Sequence, residues 1–408
     1  MKKITLFMTA LAVSIAAMAQ DLQVNKLWEF SRTSTNLPTW FSGSSDDFRS
    51  IVVKEGKLYL MNRTQSRIVA INTEASDISA EVNNPTFITL SGYLAAPNNL
   101  SVTADGQMLG NSYAGATLKA AKIDLSTGVT TQFLEKLPAS GIGRFDYMNV
   151  YGDFSSSGSG YIVAPTCPSA GNGGFNIYIW DVTNGSISAD VFTTLTRTAV
   201  FGSSSIALPI DANNFYAMSA TTNPEVWNRD GTVTNFKSGV FPSQGAAAAS
   251  GMAAFSLGGK NYFIRTKGRF GGLEFYDVTS GVANATKLSI EVSDVLGSNA
   301  NTTVITPIAV EKVSDTKVHI YISAPNNGFA AYELKDITVG YSPEKITHQI
   351  RHTATGIEIQ LDKTSMVEIY NINGALIDKK EAAGTYTRDL NQGVYIIRID
   401  GKSTKFVK

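Results

Sequence analysis

Apolar and polar residues alternate along most of this chain in short runs, and the runs are bounded by Gly, Asn, Asp and Ser. That period-two pattern belongs to half-buried β-strands. Six segments share one shape, at 58–72, 108–124, 161–181, 215–228, 262–277 and 319–334. Each opens with a strand, crosses a short polar or Gly-rich turn and closes with a strand carrying an aromatic or aliphatic anchor. The anchors Ile71, Ile123, Trp180, Trp227, Tyr276 and Tyr332 recur every 47 to 57 residues, close to the roughly 40–50 residues of a four-stranded propeller blade. Asp124, Asp181 and Asp277 each open an Asp-x-Ser/Thr-x-Gly or Asp-x-Thr-x-Gly turn, which is tight-turn chemistry. These turns lack the further carboxylates that calcium requires. The pattern predicts an all-β chain whose residues 20–340 form a six-bladed β-propeller. A strand over 22–30 pairs with the last blade and closes the ring, removing a free edge. A seventh blade fits if 22–41 supplies more than one strand. The best helix candidate, 245–251, is short and flanked by glycines.

Composition narrows the function classes. Of 408 residues only 17% are charged, with 34 basic and 34 acidic side chains. This balance points to neither nucleic acid nor an anionic lipid surface. Cys167 is the single cysteine, so an intrachain disulfide and a cysteine metal cluster are both excluded. His319, His348 and His352 are the only histidines, which disfavours zinc, copper and iron centres and a Ser-His-Asp triad. No Gly-x-Ser-x-Gly elbow occurs, and the 155–160 Gly/Ser run has no following Lys to cradle phosphate. No cofactor is expected.

The two ends carry an address. Lys2 and Lys3, the apolar stretch 4–17 and the small-x-small triplet Ala17-Met18-Ala19 make residues 1–19 a signal peptide, cut between Ala19 and Gln20. No other stretch reaches the length of an apolar transmembrane span. Past an expected linker at 336–343, strands alternate again. Residues 365–374 end in an Asn-Gly hairpin turn, 384–390 supply another strand, and 390–408 turn at Asp400-Gly401. They predict a small antiparallel β-sandwich over 344–408. The runs IYNINGALI and DLNQGVYIIRIDGKSTKFVK resemble the type A sorting domain of the type IX secretion system, with Ala375-Leu376 a small departure. The resemblance implies recognition by that secretion machinery and export through the outer membrane. The product would be secreted or attached to the cell surface, with the domain often cleaved on the way.

The run LWEFSRTSTNLPTWFSGSSDDFRSI near the N-terminus resembles secreted propeller-like proteins of Bacteroidetes grouped only as a domain of unknown function. That resemblance brings no activity with it. Candidate binding residues are Trp40, Asp46, Asp47, Arg49 and Arg63 in the first turns, with Arg265, Lys267 and Arg269 in the fifth repeat. Aromatics beside Arg and Asp suit sugars or carboxylates by stacking and bidentate hydrogen bonds. The expected role is binding of a glycan or peptide outside the cell. The rival is a hydrolase or lyase using carboxylates such as Asp46, Asp47 or Asp146, and a third possibility is a structural surface component.

Overall fold

The computed structural model describes residues 22–41, 44, 46–113, 115–169, 174, 176–245, 248–337, 349–372, 374–400 and 402–408. Ala19, Gln20, the rest of the expected signal peptide, His348 and nearly all of the expected linker lie outside these residues. The described chain separates into two compact units, divided after Asp336.

Among the described residues, 22–336 build six sheets, one per predicted repeat, antiparallel except where Ser91–Gly92 runs parallel to Val129–Lys136, and the blade count there is six. Their first strands are Ile51–Lys54, Asn99–Val102, Asn149–Gly152, Ile206–Pro209, Met252–Leu257 and Ile308–Ser314. All six line one central cavity, as the inner strands of a propeller must. The sixth blade is completed by the first strand of the unit. Leu22–Ser31 pairs antiparallel with Gly328–Asp336, from Leu22 opposite Asp336 to Ser31 opposite Gly328, with an irregularity between Lys26 and Trp28. The ring is therefore shut by main-chain hydrogen bonds between its two ends.

All six anchors are buried on the third strands of their blades. Burying a side chain of that size stabilises by roughly 1.5–3 kcal/mol. The polar tips are satisfied: Trp180 Nε1 donates to the Ala189 carbonyl at 3.2 Å, and Tyr276 Oη donates to Glu274 at 2.8 Å. The Asp-x-Ser-x-Gly turn at Asp124 spends its carboxylate internally, accepting from Ser126 N at 2.8 Å, Ser126 Oγ at 2.7 Å and Thr127 Oγ1 at 2.8 Å. Those bonds hold its pKa down at about 2.

The helix candidate at 245–251 falls partly outside the described residues, at 246–247. The one α-helix among the described residues is Ile78–Asn83, capped by the Asp77 side chain accepting from Ala80 N. Residues 248–251 lie outside any helix, and Ser250 instead forms a bridge with Ile305.

In the second unit, Gly356–Asn371 and Leu376–Asp389 form a long hairpin with a register break between Leu361 and Ser365. Gln349–His352 pairs with the first half of the longer strand, Val394–Ile399 with its second half. Val394–Ile399 also forms the predicted terminal hairpin with Lys402–Val407. Ile357, Ile359 and Leu361 share one buried cluster with Val367, Ile369, Ile397 and Ile399. The hairpin is thus folded over itself as a small sandwich.

Candidate ligand site at the channel mouth

The central cavity has a volume of about 500 Å³. Its walls are mostly aliphatic, including Val53, Leu100, Val102, Val150, Leu208 and Val310. At the end where the inner strands begin, the lining turns polar with Arg49, Ser50, Asn99, Tyr147 and Asn149. A belt of side chains ties four blades together there. Ser50 Oγ donates to Asn99 Oδ1 at 2.8 Å, Asn99 Nδ2 donates to the Met148 carbonyl, Ser101 Oγ donates to Asn149 Oδ1 at 2.9 Å, and Asn149 Nδ2 donates to the Ala207 carbonyl at 2.6 Å.

Arg49 reaches the cavity through a strained turn. Phe48 immediately before it has φ +56°, a left-handed conformation that costs a bulky residue roughly 1–3 kcal/mol. The surroundings hold Phe48 there. Its ring stacks on Phe41 at 4.3 Å and its N–H donates to the Met61 carbonyl at 2.9 Å. Arg49 is 3% exposed, yet its Nε and Nη1 have no hydrogen-bond partner. The guanidinium lies 4.5 Å from the Tyr113 ring centre and 5.8 Å from that of Tyr147, and Asp46 Oδ1 is 3.8 Å from Nη1. Burial opposes its charge, but the oxygens of Tyr147, Tyr113 and Asp146 outweigh burial and raise its pKa.

Further unpartnered atoms lie around Asp146, where Tyr147 lines the cavity and Asn98 and Asn111 stand behind its lining. Asn98 Nδ2 donates to the Asp146 carbonyl at 2.6 Å, and Asn111 Nδ2 to the same carbonyl at 3.3 Å and to Ser112 at 2.7 Å. Both amide oxygens are left buried with no donor, as is the Tyr147 hydroxyl, next in sequence to Asp146. Burial pushes the Tyr147 phenol up to about 12. Each such orphan costs roughly 1–3 kcal/mol if nothing satisfies it.

The structure brings Asp46, Arg49 and Arg63 together: Arg63 Nη2 pairs with Asp46 Oδ2 at 3.2 Å, and its guanidinium also lies over Tyr113, at 4.4 Å. Asp47 is beside them but committed, accepting from Thr64 N at 3.0 Å and Thr64 Oγ1 at 2.7 Å. The remaining candidates are engaged elsewhere. Trp40 packs on Phe41, Phe48 and Phe329, and its Nε1 donates to the Val82 carbonyl at 2.7 Å. Arg265 is buried against Glu274, with Nε donating at 2.8 Å and Nη2 bonded to the Pro242 carbonyl at 2.6 Å. Lys267 pairs with Glu291 at 3.0 Å, and Arg269 Nε donates to the Ala248 carbonyl at 3.0 Å. These three belong to the fifth blade, not to the Arg49 cluster. Asp146 is fully buried in a two-pronged pair with Arg144, at 2.8 and 3.0 Å. Sequence reasoning missed Tyr113, Tyr147, Asn98 and Asn111. The available signal was polar side chains at the very ends of apolar strand runs.

Fold and site together define a six-bladed propeller with a polar, incompletely satisfied channel mouth, followed by a separate β-sandwich. Residues 353–408 match the secretion system C-terminal sorting domain family, so the second unit is a sorting domain of the type IX system and marks the chain for secretion or the cell surface. No curated protein matches the chain. Among solved structures it is similar to a luciferin-regenerating enzyme, at 10% identity and TM-score 0.45 over 78% of this chain and 96% of that one. It is also similar to regucalcin from Agrobacterium tumefaciens, at 14% identity and TM-score 0.43 over 72% and 93%. A PQQ-bound aldose sugar dehydrogenase from Streptomyces coelicolor matches at 11% identity and TM-score 0.45 over 78% and 99%. No helix among the described residues is long and apolar enough to cross a membrane.

Proposed function

We propose that this protein is a secreted or surface-held binding protein whose propeller captures a glycan or peptide at the channel mouth. One observation carries the reading. A nearly fully buried guanidinium, with no hydrogen-bond partner at Nε or Nη1, stands in the cavity wall together with the unpartnered hydroxyl of Tyr147. Native proteins rarely leave such groups unmatched unless a ligand or water completes them. The strained Phe48 that aims Arg49 fits the same view, because strain collects at functional sites.

The hydrolase or lyase reading has less support. Such chemistry needs a carboxyl with a raised pKa within reach of a second group. Asp47 and Asp146 have their oxygens engaged by Thr64 and Arg144. Every carboxyl with a displaced pKa among the described residues is displaced downward.

Export would proceed in two steps. Residues 1–19 direct the chain across the inner membrane and are removed before Gln20. The unit from 344 to 408 then engages the type IX machinery, which releases the propeller or fixes it to the surface.

A glycan-array and peptide-library screen on the purified chain tests the binding role, with Arg49→Ala and Trp40→Phe variants alongside. Saturable binding that Arg49→Ala abolishes and Trp40→Phe keeps is the expected result. Turnover of a bound polymer, or binding indifferent to Arg49, would overturn it.

A further inference from the structure

Away from Arg49 the channel wall presents two kinds of surface, and the combination restricts the ligand. One kind is aliphatic. Val53, Val102, Val150, Leu208, Ala254 and Val310, one from each blade, line the cavity and are only half-buried. Apolar surface left in water costs roughly 25 cal/mol per Å². The other kind is main chain. Each of the six inner strands is paired with one neighbour only. Every second residue of such an edge strand therefore turns its N–H and C=O toward the channel. At the Arg49 end the polar belt takes some of these groups: the Leu100 N–H donates to Ser50 Oγ at 2.8 Å, and the Ala207 carbonyl accepts from Asn149 Nδ2 at 2.6 Å. The aliphatic side chains farther along have nothing to offer them.

We propose that the channel takes an extended peptide with aliphatic side chains, hydrogen-bonded along the free edge of an inner strand. The inference rests on the reading of this cavity as a ligand site and selects the peptide over the glycan. An extended chain carries N–H and C=O groups along its edges and side chains on its faces, which matches both kinds of wall. Strand addition of this sort draws affinity from the main chain and specificity from alternate side chains. Inner strands of 4 residues, such as Ile51–Lys54 and Asn99–Val102, span about 13 Å at the usual rise, so about four ligand residues lie beside one. A glycan meets main-chain groups with its hydroxyls but leaves the aliphatic surface uncovered. Of the two aromatic residues in the described lining, Tyr147 is buried and Tyr151 is stacked on Tyr161 at 5.4 Å. An alkyl chain covers the aliphatic surface but strands the main-chain groups, at roughly 1–3 kcal/mol for each. Arg49 is the only charged residue in the described lining, so the peptide is uncharged where it lies against the wall.

Fluorescence polarisation with the purified full chain tests this. The labelled probes are acetyl-Val-Ser-Val-Ser-Val amide and its leucine and isoleucine counterparts. The expected result is saturable binding of at least one of them. Two further peptides carry N-methyl groups, one on the amide nitrogens of one edge and one on those of the other. These changes leave the protein and the ligand side chains as they were. At least one of the two should bind about tenfold or more weakly, the scale of a buried hydrogen bond lost. Exchanging the aliphatic ligand residues for aspartate should weaken binding as much, and so should Leu208→Asp in the channel wall, whereas Leu208→Ile should keep it. Binding indifferent to both N-methylations would overturn the proposal. So would a dodecyl chain that binds as tightly, or no peptide binding across the millimolar range. The glycan array separates that failure from failure of the site itself. Glycan binding that depends on Arg49, with no peptide binding, removes the peptide and leaves the site. Binding of neither class removes both readings.

Discussion

The guanidinium of Arg49 stands 4.5 Å from the ring centre of Tyr113, and Arg63 stands 4.4 Å from the same ring. One aromatic ring from the second blade therefore positions two cations from the first. Cation–π contacts are worth roughly 0.5–2 kcal/mol, most when desolvated. Tyr113→Leu should lower stability by about 1–2 kcal/mol on that scale, and Tyr113→Phe should keep most of it. Thermal unfolding of the two variants measures the difference, and an equal loss in both would show that the hydroxyl rather than the ring matters.

Arg265 supplies a contrast in its buried pair with Glu274. Burial works to raise the Glu274 carboxyl pKa, but Lys287, Tyr276 and Arg265 outweigh it and hold the pKa below the usual value. A depressed carboxyl contributes stability that is fully present above its unfolded pKa, near 4.3. That contribution is lost as pH falls through the lower folded value. Glu274→Gln strands a buried guanidinium and should cost about 3–5 kcal/mol at neutral pH. The gap between variant and native melting should close as the pH is lowered below about 4, and a gap that stays constant with pH would refute the ion pair as its cause.

Ring closure has a single-atom test. Gly328 adopts φ +150°, and a Cβ there would meet the Phe30 carbonyl oxygen at 2.5 Å and Ser31 Cα at 2.6 Å. Both belong to the strand that shuts the ring. Gly328→Ala should destabilise the propeller by about 1–3 kcal/mol, the scale of backbone strain at such positions. Hydrogen exchange along 22–31 should quicken first, and unchanged exchange there would argue against closure by this strand.

Removal of residues 353–408, which match the sorting family, should abolish export while leaving the propeller folded. Cell fractionation reads the outcome. The truncated chain should accumulate in the periplasm, and its appearance in the medium or on the cell surface would contradict the assignment.

What the sequence revealed, and what it hid, follows from the range of each interaction. The anchors Trp180 and Tyr276 were legible because a buried third strand writes its own alternation. The closing strand 22–30 was legible as a strand with no partner in its own neighbourhood. The helix over Ile78–Asn83 was not, since six residues held by one Asp77 cap leave almost no periodic signal. Arg49 and Arg265 looked alike as basic residues near strands. Arg265 has its counter-charge in register on the next strand, opposite Glu274, so that pairing was readable from the hairpin. Arg49 meets Tyr113 and Tyr147 from other blades, and only the closed ring brings them together.

The central claim is that a ligand completes the polar groups around Arg49. Hydrogen exchange followed by mass spectrometry, with and without a saturating ligand from the screen, tests it most directly. The account predicts slowed exchange in peptides covering 46–50, 98–99, 111–113 and 146–149, with 262–277 unchanged. Saturable binding with protection confined to the fifth blade around Arg265, and none around Arg49, would contradict it.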